Sequence, residues 1–176
     1  MDSMVTLDEV FSEWIDKIDH PIQALETGCS FMWGEKFDPY ISTLNIVKHL
    51  VAPTGGRLYS LDIDKDRIQV CKQNLISHDL DKYVDFLCGD SVENIATFPP
   101  ECLDFVWLDS SEDADHAMAE FNGVKPLLVG KYIVCVDDYG SPNSVKWQEI
   151  SKIIKEDFAE HKTYKTPTGL IVGYNE

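Results

Sequence analysis

From residue 22 to residue 137 the chain alternates short runs of β-branched and aromatic residues with stretches of helical period. That alternation restricts the fold more than any other feature. Strands separated by crossover helices pair in parallel, and the helices must lie on the faces of the sheet. Strands are predicted at Ile22 to Glu26, Arg57 to Asp62, Tyr83 to Cys88, Leu103 to Leu108 and Tyr132 to Asp137. Helices are predicted from Ser42 to Leu50 and from Lys65 to Ser77, the second placing Ile68, Cys71 and Leu75 on one face. An earlier helix starts at Thr6, where Glu9 completes a capping box and Val10, Phe11, Trp14 and Ile15 form an apolar stripe that Ile18 extends.

The end of the chain is patterned differently. A helix is predicted from about Ser144 to His161, with Trp147, Ile150, Ile153, Ile154 and Phe158 at helical spacing. The strands KTYKT and LIVGY follow, separated by Pro167-Thr168-Gly169, and a turn that short makes a hairpin. The expected fold is therefore α/β: a Rossmann-like, seven-stranded, mostly parallel sheet with helices on both faces and a C-terminal antiparallel hairpin. No linker tract or repeat divides the 176 residues, so 1–176 reads as one domain with its N-terminal helix in 1–20.

Composition narrows the partners. Fifteen Lys and Arg face 31 Asp and Glu, a net charge of −16 that opposes binding along a phosphate backbone. Nucleic acid is not an expected partner, nor is a membrane, since no apolar run approaches the roughly 20 residues a span needs. The stretch from Glu101 to Glu120 holds seven acids and no Lys or Arg, a solvated face unless its position says otherwise. The five cysteines include no C-x-x-C pair, and the start MDSMVTLDEVF lacks a signal peptide's basic and apolar regions. A reducing, cytoplasmic location is expected.

Ligands of open α/β sheets bind beyond the carboxyl ends of the strands, at the switch point. The residues there are Glu26-Thr27-Gly28-Cys29-Ser30, Asp62-Ile63-Asp64, Gly89-Asp90-Ser91, Asp109-Ser110-Ser111 and Asp137-Asp138-Tyr139. Every one of these strand ends carries a carboxylate. A single acid can merely cap the next helix; five in register point to a ligand with hydroxyls and cationic or donor groups. Gly28 allows close backbone approach, Asp62 is placed to accept from a ribose diol, and Asp90 from an exocyclic amine. The dinucleotide fingerprint G-x-G-x-x-G is incomplete, because position 30 is serine. An adenosine ligand without phosphates suits so acidic a rim.

The segments LETGCS, STL, GGRLYSLDIDKDRI, FLCGDS, LDFVWLDSSEDADHAMAEF and YIVCVDDYG, in this order and spacing, resemble motifs of class I S-adenosylmethionine-dependent methyltransferases. The small-molecule O-methyltransferase branch is the nearest likeness, and it covers residues 22 to 175, with TPTGLIVGY as the closing hairpin. The resemblance implies S-adenosylmethionine as cofactor. Glu26, Gly28, Cys29 and Ser30 would line its methionine side, Asp62 would hold the ribose, Asp90 and Ser91 would flank the adenine, and Ile63 and Asp109 would also contact the cofactor. A sulfonium cation gains from an acidic mouth.

The resemblance also implies a set of oxygen ligands for an assisting Mg²⁺ at Asp109, Asp137 and Asp138, the alternative being cofactor contact and chain turning. Related enzymes often carry Lys or His three residues after the first of these aspartates. Here Glu112 stands there, as base, ligand or solvated acid, with His116 one turn on. Asp109 and Glu112 are the catalytic candidates. The family's short first loop is lengthened by Phe31 to Ile41, with Met32, Trp33, Phe37 and Tyr40, as a surface insertion or a lid. The acceptor is expected to be a small molecule, held by the N-terminal helix, this loop, the rim or a second subunit. A cofactor-binding protein without turnover and, more weakly, a nicotinamide-dependent oxidoreductase are the alternatives.

Overall fold

A computed structural model describes residues 4–31 and 38–176. Its seven strands are β1 (Gln23–Thr27), β2 (Arg57–Asp62), β3 (Val84–Cys88), β4 (Leu103–Leu108), β5 (Leu128–Asp137), β6 (Glu160–Tyr164) and β7 (Leu170–Asn175). They form one sheet in the order β3-β2-β1-β4-β5-β7-β6. The pairs from β3 to β5 are parallel, while β7 runs antiparallel to both β5 and β6. The α/β expectation is met, including the closing hairpin.

The helices are α1 (Leu7–Trp14), α2 (Ser42–Ile46), α3 (Ala52–Thr54), α4 (Lys65–Ser77), α5 (Ser91–Ile95), α6 (Ala114–Val124) and α7 (Trp147–Asp157). Between α2 and α3 the chain stays helical through a π-type turn, Val47–Val51, so this helix runs four residues past its expected end at Leu50. Gly55, left-handed at φ 73°, stops it. The capping box at Thr6 forms, with the Glu9 carboxylate accepting from the Thr6 N–H at 2.9 Å.

Strand alternation sorts the core into two layers. Phe105 and Trp107 of β4 pack on one face with Val10 and Phe11 of α1, Leu44 of α2, and Cys71 and Leu75 of α4. Val106 and Leu108 face the other way, against Ile95 of α5, Phe121 of α6, and Ile150 and Ile154 of α7. The last helix is shorter than its periodicity predicts. At Phe158 the backbone turns extended (ψ 143°), its ring meets Tyr132 edge-on at 5.7 Å, and residues 160–164 pair with β7 instead. Sheet hydrogen bonding along β7 wins over the weak helical pattern of residues 158–161. Among the described residues no helix is long and apolar enough to cross a membrane.

Candidate functional site

The chain order reverses between β1 and β4, leaving a crevice at the carboxyl ends of the strands. Two adjoining lobes fill it, one of about 480 Å³ and one of about 250 Å³, with Gly28, Arg67 and Ser110 lining both. Gly28 makes the shared wall thin. It holds φ 83°, its N–H donates to the Leu61 carbonyl at 2.7 Å, and a Cβ there would stand 2.4 Å from the Asp109 carbonyl oxygen. Only glycine fits on both counts.

The smaller lobe is lined by Asp62, Ile63, Asp90, Ser91 and His116, among others. Asp62 accepts from the Cys29 N–H at 3.1 Å and the Asp64 N–H at 2.8 Å. It thereby ties the loop after β1 to the end of β2. Carboxylate oxygens have lone pairs beyond these two bonds, so the group can still accept from a diol. Asp90 caps α5 through the Glu93 N–H at 3.0 Å while it lines the lobe, so capping and lining coexist in one residue. Ile63 is 75% exposed beside it, an apolar surface for a flat ring. Behind the lobe, buried Glu120 accepts from the hydroxyls of Ser91 and Ser110 and from Thr27 Oγ1 at 3.2 Å; Ser91 Oγ also lies 2.9 Å from His116 Nε2.

The larger lobe takes Leu7 from α1, Cys29 and Ser30, Tyr40 and Ile41, Trp107, Asp109, Asp137 and the hairpin turn Thr166 to Thr168. Thr168 Oγ1 donates to Asp137 at 2.7 Å. Phe31 belongs to the lining too, and the Arg67 guanidinium stands 4.4 Å over its ring. Of the expected 31–41 insertion, Met32, Trp33 and Phe37 lie outside the described residues.

Three expectations need correction. Glu26 does not line the cleft. Alternation in β1 puts it on the face of Ala24, where the start of α2 covers it, and it is fully buried. It accepts from Thr43 Oγ1 at 2.6 Å, Ser60 Oγ at 2.7 Å and Ser42 Oγ at 3.3 Å. Burial raises its pKa to about 7, against the pull of these hydroxyls. Its contribution is to fix the loop and α2 from beneath.

Glu112 also stands outside the lining of either lobe, its side chain 61% exposed. Its carboxylate lies 3.8 Å from Lys146 Nζ.

The third correction concerns the trio Asp109, Asp137 and Asp138. Lys146 Nζ donates to Asp109 Oδ1 at 2.6 Å and pairs with Asp138 Oδ2 at 2.8 Å, while Asp137 is engaged by Thr168. Among the described residues no group of three or more His, Cys, Asp or Glu side chains is arranged to hold a metal ion. With an ammonium between the two nearest carboxylates, the trio does not fit Mg²⁺. Burial and the neighbouring Asp137 push the Asp109 carboxyl well up from its usual range, and Lys146 pulls against them. Burial likewise raises Asp137. For Lys146, burial would lower the amine, but the charges and hydrogen bonds of Asp109 and Asp138 outweigh it and keep the group protonated.

Sequence reading missed Lys146, because nothing in the local pattern shows that it is buried. It stands at the N-cap of α7, where the helix dipole disfavours a cation, so a lysine buried there needs carboxylates around it.

The methyltransferase-domain family matches residues 41–139 of the chain. No curated protein sequence matches it. A methyltransferase from Geobacter sulfurreducens superposes with a TM-score of 0.72 at 11% identity, covering 94% of this chain and 75% of the other. A candidate rRNA methylase from Clostridium thermocellum gives 0.72 at 11%, covering 99% and 97%. An O-methyltransferase from Bacillus cereus in complex with SAH gives 0.69 at 19%, covering 99% and 83%. At these identities the likeness is one of fold.

Proposed function

Because the chain belongs to the methyltransferase-domain family, we propose that it transfers a methyl group from S-adenosylmethionine to a hydroxyl of a small molecule. The observation that carries this reading is the two-lobed, acid-lined cleft at the switch point. Asp62, Asp90 and Ile63 give the smaller lobe two acceptors and an apolar plane, which suits ribose and adenine. The larger lobe has the volume for a methionine tail and a small acceptor. Strand order speaks against the nicotinamide alternative. Dinucleotide-binding sheets run 3-2-1-4-5-6 in parallel, whereas here antiparallel β7 is inserted beside β5.

When bound, S-adenosylmethionine supplies a methyl group on a positively charged sulfur, ready for in-line displacement. The chain's own part is to hold the acceptor in line and to take its proton. Asp109 lines the larger lobe and its raised pKa makes it a better base than an ordinary aspartate. Its Oδ1 is occupied by Lys146, which leaves the other carboxylate oxygen for the acceptor's proton. Arg67, lining both lobes, can pair with a carboxylate of the cofactor's amino-acid end. The acidic surface keeps nucleic acid out of the reading, in contrast to an rRNA substrate, and the five free cysteines suit the cytoplasm.

Calorimetry with S-adenosylmethionine, S-adenosylhomocysteine and NADH tests the cofactor. Micromolar binding of the first two is expected, weakened about tenfold to a hundredfold by Asp62→Ala, in line with about 1.5–3 kcal/mol for a charged hydrogen-bonding group. Binding of NADH alone would overturn the reading. Asp109→Asn should keep cofactor binding and lose transfer by at least about a hundredfold. A wild type that binds the cofactor yet releases no S-adenosylhomocysteine with any hydroxylated acceptor would instead favour a binding protein without turnover. No lysine or histidine among the described residues lining the larger lobe offers another base.

A further inference from the structure

Three carboxylates from two loops converge on one point beside the larger lobe. Asp109 follows β4, Asp138 follows β5, and Glu112 precedes α6, at 2.6, 2.8 and 3.8 Å from Lys146 Nζ. Oxygens gathered so closely around a point make a place for a cation, since each repels the others unless a positive charge lies between them. The lysine that fills the place comes from far along the chain. It starts α7 and its side chain is only 3% exposed. Asp109 and Asp138 hold it where a lysine is ordinarily unwelcome, because both burial and the helix N-terminus disfavour the charge. Asp138 reaches it from a left-handed backbone (φ 60°), an uncommon conformation for a residue other than glycine.

We propose that the Lys146 ammonium is the resident cation of this site, seated where Asp109 and Asp138 would otherwise hold a divalent metal, and that it orients Asp109 for the acceptor without any metal. Lys146 is thus a positioning residue acting through Asp109. The role in transfer rests on the methyltransferase reading; the occupancy of the cation position does not.

Manganese titration at 0.15 M salt, followed by the spin-resonance signal of the free ion, separates the two. The wild type should take up no stoichiometric Mn²⁺ and keep its Tm and its methyl transfer in chelator. Lys146→Ala should gain one Mn²⁺ and, at saturating metal, rise in Tm by about 5 °C or more. Asp138→Asn added to that variant should abolish the gain. A lysine that did not fill a cation position between Asp109 and Asp138 would leave no new metal site on removal. Stoichiometric Mn²⁺ binding by the wild type, lost in Asp138→Asn, would overturn the proposal. So would a folded Lys146→Ala protein, judged by circular dichroism, that binds no Mn²⁺. Should that variant not fold, the wild-type titration and its chelator arm decide alone. Calorimetry with S-adenosylmethionine on the same samples reports separately on the cofactor reading.

Discussion

Glu26 is a carboxylate that water does not reach, and three hydroxyls are its compensation. Because its native pKa, about 7, exceeds the ordinary 4.5, the folded state binds its proton more tightly than the unfolded chain does. The resulting stability is complete below pH 4.5 and is lost as the pH rises to about 7. The full difference is about 3 kcal/mol. Glu26→Gln should therefore flatten the fall in urea-unfolding free energy between pH 4.5 and 7, and an unchanged slope would refute the assignment. Asp62 was legible from sequence because a residue ending a central strand must face the crevice. Glu26, one position before its strand's last residue, was not. Its side of the sheet depends on strand parity, and its cover on where Ser42 and Thr43 come to lie.

Among the elements, α1 couples packing to the site. Leu7 lines the larger lobe, while Phe11, four residues on, meets Phe105 at 5.7 Å and Trp107 at 6.1 Å edge to face. Trp14 Nε1 donates to Tyr164 Oη at 2.7 Å and anchors the helix to β6. Phe11→Ala removes a fully buried ring and should cost about 3–5 kcal/mol, about 6–20 °C in Tm for a chain of this size. A loss below about 1 kcal/mol in denaturant unfolding would mean the helix is not docked as described. The capping box and apolar stripe made this helix readable in advance, as periodicity did α4. The end of α7 was not readable, because Phe158 keeps helical spacing while β7 offers residues 160–164 a ladder. A pairing between segments distant in space leaves no periodic mark of its own.

For the whole molecule, the charge of −16 acquires a location. Asp62, Asp90, Asp109 and Asp137 line one cleft, so a cationic ligand is favoured over a neutral one of the same shape. S-adenosylmethionine carries a sulfonium charge that its product lacks. The ratio of product to substrate Kd should therefore fall by about twofold to tenfold as salt rises from about 0.05 to 0.5 M, as screening shortens the reach of those carboxylates. A ratio independent of salt would mean the cleft does not discriminate by charge. The sequence alone determined the alternation of strands and helices, the closing hairpin and the row of acids at strand ends. Each is written in local pattern or in the geometry of parallel strands. Tertiary structure alone decided which acids face the cleft, which is buried beneath it, and that a lysine from the start of α7 stands among them. Those outcomes depend on which distant side chain meets each carboxylate, and a buried charge is held by its partners in space, not by its neighbours in the chain.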